Sequence, residues 1–429
     1  MVDVKAFKGV VYNKAEIKDV EKVFAPPYDV ITPQAVERYY DNHDYNIVRL
    51  ILGKEFPADN SRDNKYTRAA SFLGEWLGQG VLKQDEEPAI YYYVQDYVER
   101  GKKKNRAGFI ALMRLEDFGK GSVLPHENTH AKPKQDRLNL LRSVKANLSP
   151  IFSLFDDKKE ILRKISTYIS SSAPYIDVHD KELTRHRLWS LTDKKMIKMV
   201  REAIKGQKVF IADGHHRYET ALSFRNEMKK KIGHWTGREP FNYCLMYFTG
   251  LNGKGITILP THRLVKYHLR FEEALEKIKD SFHIKKVKTK KEMLKSMGRH
   301  VVHDHKFGVY TGKGRYYILT LKNENILEEA VKVERSFNWK RLDVSILHNL
   351  LLPAIIPSSK IEEEIISYTE DMDKAIESVD NNTCNVAFLL NPTMIQEVKD
   401  IALRGERMPH KSTFFYPKLL SGLVINKFN

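Results

Sequence analysis

Short apolar runs and stretches with apolar residues three and four apart alternate along the chain, so the pattern predicts strands and helices in mixture. The first strand-like run is Phe7–Tyr12. It leads into Ala25-Pro-Pro-Tyr-Asp-Val-Ile-Thr-Pro33, where three prolines forbid regular structure and impose a rigid path. Such a loop either presents Tyr28 or Asp29 to a ligand or simply directs the chain across the surface. Helical spacing follows over Pro33–Tyr40 and Lys65–Leu77. An aromatic-rich strand is then predicted over Ala89–Val98, a hairpin turn over Lys102–Asn105 and a returning strand over Ala107–Leu115.

Beyond these lie a helix at Arg137–Arg142, a buried strand at Pro150–Phe155, a helix at Lys158–Ser170, a hairpin at His179–Trp189 and a helix at Asp193–Lys205. Strands at Val209–Ala212, Tyr243–Phe248 and Gly255–Arg263 are expected to share one sheet. A helix over Phe271–Phe282 precedes a Lys-rich linker at Lys285–Lys291. Strands at Phe307–Tyr310 and Tyr316–Leu321 and helices at Asp343–Leu352 and Asn391–Leu403 complete the pattern. The fold class is α+β. Three regions are expected: 1–105, a core at 106–265, and 266–429.

The most informative stretch is Val209-Phe-Ile-Ala-Asp-Gly-His-His-Arg-Tyr-Glu-Thr-Ala-Leu222. Four apolar residues run straight into Asp213-Gly214, and Tyr218, Ala221 and Leu222 then recur at helical spacing: strand, sharp turn, helix. At such a junction the first N–H groups of the helix and its positive dipole end favour an anion. Gly214 lets the anion approach the backbone, and His215, His216 and Arg217 add donors, the guanidinium being able to hold two oxygens at once. The plainer reading is that Asp213 caps the helix. A metal shared by His215 and His216 is disfavoured, because helical neighbours point about 100° apart.

Composition narrows the class. With 429 residues, 42% hydrophobic and 30% charged, the chain is that of a folded protein with more than one core. No apolar run reaches the length of a membrane span, and the N-terminus lacks signal-peptide character. Two cysteines, Cys244 and Cys384, exclude a disulfide framework and a four-Cys zinc site, so a reducing cytoplasmic setting is expected. The net charge of +17, from 72 Lys and Arg against 55 Asp and Glu, suits an anionic ligand and weak, sequence-indifferent nucleic-acid binding.

Three further polar clusters stand out. Val123-Leu-Pro-His-Glu-Asn-Thr-His130 contains H-e-x-x-H in form, the zinc-peptidase pattern. That pattern requires a helix, and Pro125 and Pro133 bracket it; Glu127 is otherwise a loop carboxylate able to act as a base or to hold an amine. Thr261, His262 and Arg263 gather donors at a strand end. Met408-Pro-His-Lys-Ser-Thr-Phe-Phe-Tyr-Pro-Lys418 brings Lys411, Ser412, Thr413 and Lys418 together among aromatics, as a phosphate-contacting segment or an aromatic strand anchored in a core.

Asp213-Gly-His-His-Arg217, the Pro-Pro-Tyr-Asp-Val-Ile31 run, Pro125-His-Glu127, Leu259-Pro-Thr-His-Arg263 and Met408–Lys418 together resemble, in the family's order, the domain-of-unknown-function 1015 family. Pro-His-Glu followed by Asp-Gly-His-His-Arg is also similar to the ParB/sulfiredoxin-like fold. That resemblance implies a nucleotide-binding core with additional N-terminal and C-terminal α+β regions. Through its free-serine-kinase branch it implies a phosphotransferase using ATP or ADP and Mg²⁺ on L-serine. Carried over by position, Glu127 is the base and Asp213 a catalytic residue or Mg²⁺ ligand. His215, His216 and Arg217 then form the phosphate loop with Asp213; from donor chemistry rather than the resemblance, Gly214, Thr261, His262 and Arg263 are expected to join them at phosphate, and His126, Lys411, Ser412, Thr413 and Lys418 to contact substrate. About 85 residues separate Glu127 from Asp213, which requires an insertion near Asp156–Lys205. A second branch implies a ParB-like nucleotide-dependent DNA-binding protein, although the pattern singles out no helix-turn-helix. The sulfiredoxin reaction needs a reactive Cys where this chain has His215 and His216.

The zinc reading has a direct check. Metal analysis of the purified protein should find less than about one zinc per ten chains, because the prolines deny the motif its helix; one zinc per chain, lost in His126→Ala, would overturn this.

Overall fold

The computed structural model describes residues 2–119, 121–267, 271–298, 301, 303–356 and 365–428. By contacts the chain divides into two units. The first comprises Met1–Pro125, Thr129–Ile256 and Pro417–Asn429, and the second His126–Asn128 and Thr257–Tyr416. Both are mixed α and β.

The first unit is built on a nine-stranded sheet: Val4–Lys5 (β1), Ile90–Glu99 (β2), Lys102–Arg114 (β3), Val123–Leu124 (β4), Ile151–Phe155 (β5), Ile176–His179 (β6), Arg185–Leu191 (β7), Val209–Asp213 (β8) and Tyr243–Gly250 (β9). The order is β4-β8-β5-β9-β3-β2-β7-β6, with β1 beside β3. Pairs β8/β4 and β9/β5 are parallel and the others antiparallel. A helix at Pro33–Asn42 and a short one at Val48–Ile51 precede its longer helices, Lys65–Gly78 (α1), Ala131–Val144 (α2), Ile161–Tyr168 (α3), Lys194–Ile204 (α4) and His215–Lys231 (α5).

The aromatic strand β2 shows why this sheet is covered on both faces. Side chains alternate across a strand, so Ile90, Tyr92 and Val94 join the main core with Phe109, Phe155 and Phe248. Tyr91, Tyr93 and Gln95 fall on the other face, where Tyr93 Oη lies 2.6 Å from His186 Nδ1 and Gln95 Nε2 donates to the Lys418 carbonyl at 2.9 Å. Residues 417–428 thus pack on this second face. Residues 1–105 and 106–265 contribute to the same sheet, and the boundary at 105 falls within β3.

The turn between β2 and β3 sits at Arg100 and Gly101, both with positive φ (47° and 74°), rather than at Lys102–Asn105 as expected. Two positive-φ residues match the right-handed twist of a two-residue hairpin. The three lysines are strand residues whose side chains reach solvent or, at Lys104, Glu99. The segment that the family resemblance treats as an insertion, Asp156–Lys205, supplies β6, β7, α3 and α4, so it extends the far edge of the sheet and leaves β8 next to β5.

The second unit carries Thr257–Leu259 (β10), His262–Val265 (β11), Phe282–Val287 (β12), Lys306–Tyr310 (β13), Tyr316–Leu321 (β14), Ile366–Thr369 (β15), Val386–Leu389 (β16) and Phe414–Tyr416 (β17). Six form an antiparallel sheet, β12-β14-β13-β16-β11-β15, while β10 pairs with β17. Two sequence expectations change here. The Gly255–Arg263 strand does not close the first sheet: Pro260 interrupts it, and β11 belongs to the second. The Lys285–Lys291 linker is the edge strand β12 followed by a helix at Lys290–Met297. Exposed lysines on an edge strand deter pairing with other chains.

Close packing in the first sheet is testable at Gly108, opposite Thr249 in the β3/β9 pair. A Cβ there would lie 2.4 Å from the Phe248 carbonyl oxygen and from the Tyr247 ring. Gly108→Ala should lower the urea-unfolding free energy by about 1–3 kcal/mol through overpacking; unchanged stability would mean that the strands can part without cost.

Candidate functional site

Strand β8 is buried through Val209, Phe210, Ile211 and Ala212, and the chain reverses at Gly214 before α5 opens at His215. Gly214 has φ 92°, a conformation that costs side-chain-bearing residues free energy, and a Cβ there would lie 2.9 Å from the Arg217 guanidinium. No side chain caps this end of the 17-residue helix. The capping role considered for Asp213 is therefore not the one it has. The turn instead presents the positive end of a long helix dipole beside a backbone with no Cβ in the way.

Asp213 is clamped between two cations. Its Oδ2 accepts from Arg217 Nη2 at 2.7 Å and its Oδ1 from Lys418 Nζ at 2.5 Å, while Arg217 Nη1 donates to the Pro150 carbonyl at 2.5 Å. Burial pushes the Asp213 carboxyl up, but Lys418 and then Arg217 outweigh it and hold it well below the usual carboxylate range. The clamp alters two expectations. Arg217 spends part of its donor fork inside the turn, and Asp213 has both oxygens engaged by cations, an arrangement that does not fit a metal ligand without breaking an ion pair. Among the described residues no group of three or more His, Cys, Asp or Glu is placed to hold a metal ion.

Neighbouring side chains fix the first turn of α5. His216 Nε2 accepts from the His130 N–H at 3.0 Å, so that nitrogen is the unprotonated one, and the two rings stack. Thr129 Oγ1 and Lys134 Nζ both bond Glu219 Oε2. His215 is buried.

The remaining candidates lie in the second unit. Glu127 Oε1 accepts from the Lys411 N–H at 3.0 Å and lies 3.8 Å from His410 Nδ1. His126 Nε2 is 3.0 Å from Thr413 Oγ1, and Ser412 Oγ donates to the Pro409 carbonyl. Helix α2 begins only at Ala131, so His126 and His130 do not stand one helical turn apart. Thr261 and His262 are buried, and His262 Nδ1 accepts from the Leu390 N–H. Arg263 is fully buried and donates to the carbonyls of Thr261, His410 and Lys411 and to His348 Nε2 at 3.2 Å. Burial lowers the Arg263 guanidinium to about 10, and burial, then Arg263 and His410, lower His348 to about 3, leaving that imidazole neutral as an acceptor must be.

A family described as "Protein of unknown function (DUF1015)" matches residues 4–345. The chain belongs to the DUF1015 family. No curated protein matches this DUF1015 chain. Among solved structures it is similar to a conserved hypothetical protein from Pyrococcus furiosus at 14% identity and TM-score 0.33, covering 70% of this chain and 89% of that one. A free serine kinase variant in complex with ADP aligns at 11% identity and TM-score 0.35, over 68% of this chain and 84% of that one. SbnI from Staphylococcus aureus, truncated at its C-terminus, aligns at 10% identity and TM-score 0.35, over 73% and 85%. No helix among the described residues of the DUF1015 chain is long and apolar enough to cross a membrane.

Sequence reading missed the Lys418–Asp213 pair, which joins residues 205 apart, and the placement of His348 and His410 around Arg263 and Glu127. The pair sets a test. Lys418→Met should destabilise the protein by about 3 kcal/mol at neutral pH, since removing one partner leaves a buried charge underpaired. A carboxyl with depressed folded pKa contributes stability above its unfolded value of about 3.9, lost as pH falls through the folded value. The gap in melting temperature between wild type and variant should therefore narrow below about pH 4. A gap that stayed constant into acid would show that the pair does not hold Asp213 ionised.

Proposed function

We propose that the β8–α5 turn holds the phosphate groups of a nucleotide, ATP or ADP, and that the protein is a phosphotransferase acting on a small hydroxyl compound. The observation that carries this reading is the uncapped start of a 17-residue helix behind a positive-φ glycine, with two cations bracketing one carboxylate beside it. Backbone N–H groups and the helix dipole suit phosphate oxygens at that point, and the clamp leaves a net positive charge there. Phosphoryl transfer asks a protein chiefly for positioning and charge neutralisation.

In this reading Gly214 allows close approach, while His215, His216 and Arg217 line the phosphate position. Asp213 orients Arg217 and Lys418 rather than coordinating metal. Bound Mg²⁺ would neutralise phosphate charge and take its ligands mainly from the nucleotide and water, as this ion commonly does. The ParB/sulfiredoxin-like core and L-serine as the acceptor rest on the resemblance of Pro-His-Glu and Asp-Gly-His-His-Arg to the free-serine-kinase branch. Glu127 is the proposed base that takes the hydroxyl proton. Its carboxylate is oriented by the Lys411 N–H within the second unit.

Purified protein with ATP, ADP or CTP and a panel of amino acids and hydroxy acids should give a phosphorylated product visible by phosphorus NMR. Arg217→Ala should weaken nucleotide binding by about tenfold or more, since it removes a charged donor and unbalances Asp213. Glu127→Gln should cut turnover by about 10²–10⁴-fold with little change in nucleotide affinity. If no nucleotide binds and none is consumed with any acceptor, the phosphotransferase reading is wrong.

A further inference from the structure

A cleft open to solvent lies against the Asp213 turn within the first unit. Most of its wall is aliphatic, from Ile51, Leu140, Leu141, Leu148, Ile151 and Leu245. Polar side chains interrupt that wall, among them Tyr28, Arg137, Arg217 and Thr220.

Tyr28 comes from the proline-bound loop Ala25–Pro33, and the Arg137 guanidinium lies 4.0 Å over its ring. Arg137 is itself immobilised by the Ile51 carbonyl at 2.6 Å and by Asp136, so the pair is a preset flat surface. Thr220 stands three residues after Arg217 on α5, on the same helix face. It is 3% exposed, and its hydroxyl has no protein partner; the Nε of Arg217 has none either. Leaving buried polar groups unpaired costs free energy, and both atoms belong to residues that line this cleft.

We propose that this cleft takes the heteroaromatic base of the nucleotide whose phosphates sit at the Asp213 turn, an inference that rests on the phosphate reading above. A flat ring fits aliphatic walls and the Tyr28–Arg137 surface, and its ring nitrogens supply acceptors for Thr220 Oγ1 and Arg217 Nε. An aliphatic ligand would leave both groups unpaired. A second anion would be desolvated against six aliphatic side chains. Arg217 belongs to both places, bonded to Asp213 at the turn and lining the cleft, so the base position begins where the phosphate position ends.

Calorimetric titration of the full chain with ADP, inorganic pyrophosphate and adenosine tests this, using wild type, Leu140→Phe, which fills the cleft, and Thr220→Val, which removes only the hydroxyl. Wild type should bind ADP at least about tenfold tighter than pyrophosphate, the size of one or two added hydrogen bonds plus apolar burial. Leu140→Phe should erase that advantage and leave pyrophosphate affinity within about twofold, and Thr220→Val should lose about three- to tenfold for ADP alone. Should Leu140→Phe fail to fold, judged by its melting curve, the near-isosteric Thr220→Val decides. No ADP advantage in wild type, or an advantage that both folded variants keep, overturns the base site while the phosphate reading stands. Adenosine binding that Leu140→Phe abolishes, with no pyrophosphate binding, supports the cleft as a base site and removes the phosphate reading. Binding of none of the three overturns both.

Discussion

The Asp213 carboxylate, held between Arg217 and Lys418, is the interaction on which the candidate site depends. A charge taken out of water at the end of a buried strand is costly unless paired on both sides. Here the two cations come from opposite directions in sequence, one from the helix that follows the turn and one from the end of the chain. Arg217 folds back over Gly214 only because no Cβ stands there, and this contact sets how the helix start is presented. Strand end, glycine, helix start and terminal segment are therefore solutions to one electrostatic problem.

Two arginines show how differently that problem is solved in the two units. Arg217 faces a carboxylate, so the turn keeps ionised groups of both signs near its surface. Arg263 has carbonyl oxygens and a neutral His348 for partners, and burial depresses it accordingly. The first arrangement suits a place where an anion arrives and leaves. The second holds the Pro409–Thr413 loop to β11, which also fixes the backbone N–H that Glu127 accepts from.

What the sequence made legible was local. Strand β8, its turn and the start of α5 follow from four apolar residues, Asp-Gly and helical spacing, and all lie within a dozen positions. Pro125 and Pro133 foretold that the His126–His130 stretch would not be helical, and α2 indeed begins only at Ala131. Lysine-rich stretches misled, because at Lys102–Lys104 and Lys285–Lys286 charged residues occupy the solvent side of true strands. Composition cannot distinguish that from a turn or linker. The partner of Asp213 was hidden for another reason: Lys418 looked like a ligand contact because a bond across 205 residues leaves no trace in local pattern. Tyr28 was visible as a rigidly held aromatic, but the slot it borders needs α2, α5 and β9 in place before it exists.

The return of residues 417–428 to the first unit has a consequence for how the protein is made. Ile425 bridges Val10, Ser421 bridges Ala25, Phe428 stacks on Phe224, and Lys418 completes the Asp213 clamp. A ribosome adding roughly 5–20 residues per second needs about 10–40 s to travel from Asp213 to Lys418. Throughout that interval the nascent first unit lacks this segment on the second face of its sheet and has an underpaired acid at its turn. Its folding cannot finish as a simple N-terminal-first event, and Thr257–Tyr416 of the second unit is translated while the first one waits for its last strap.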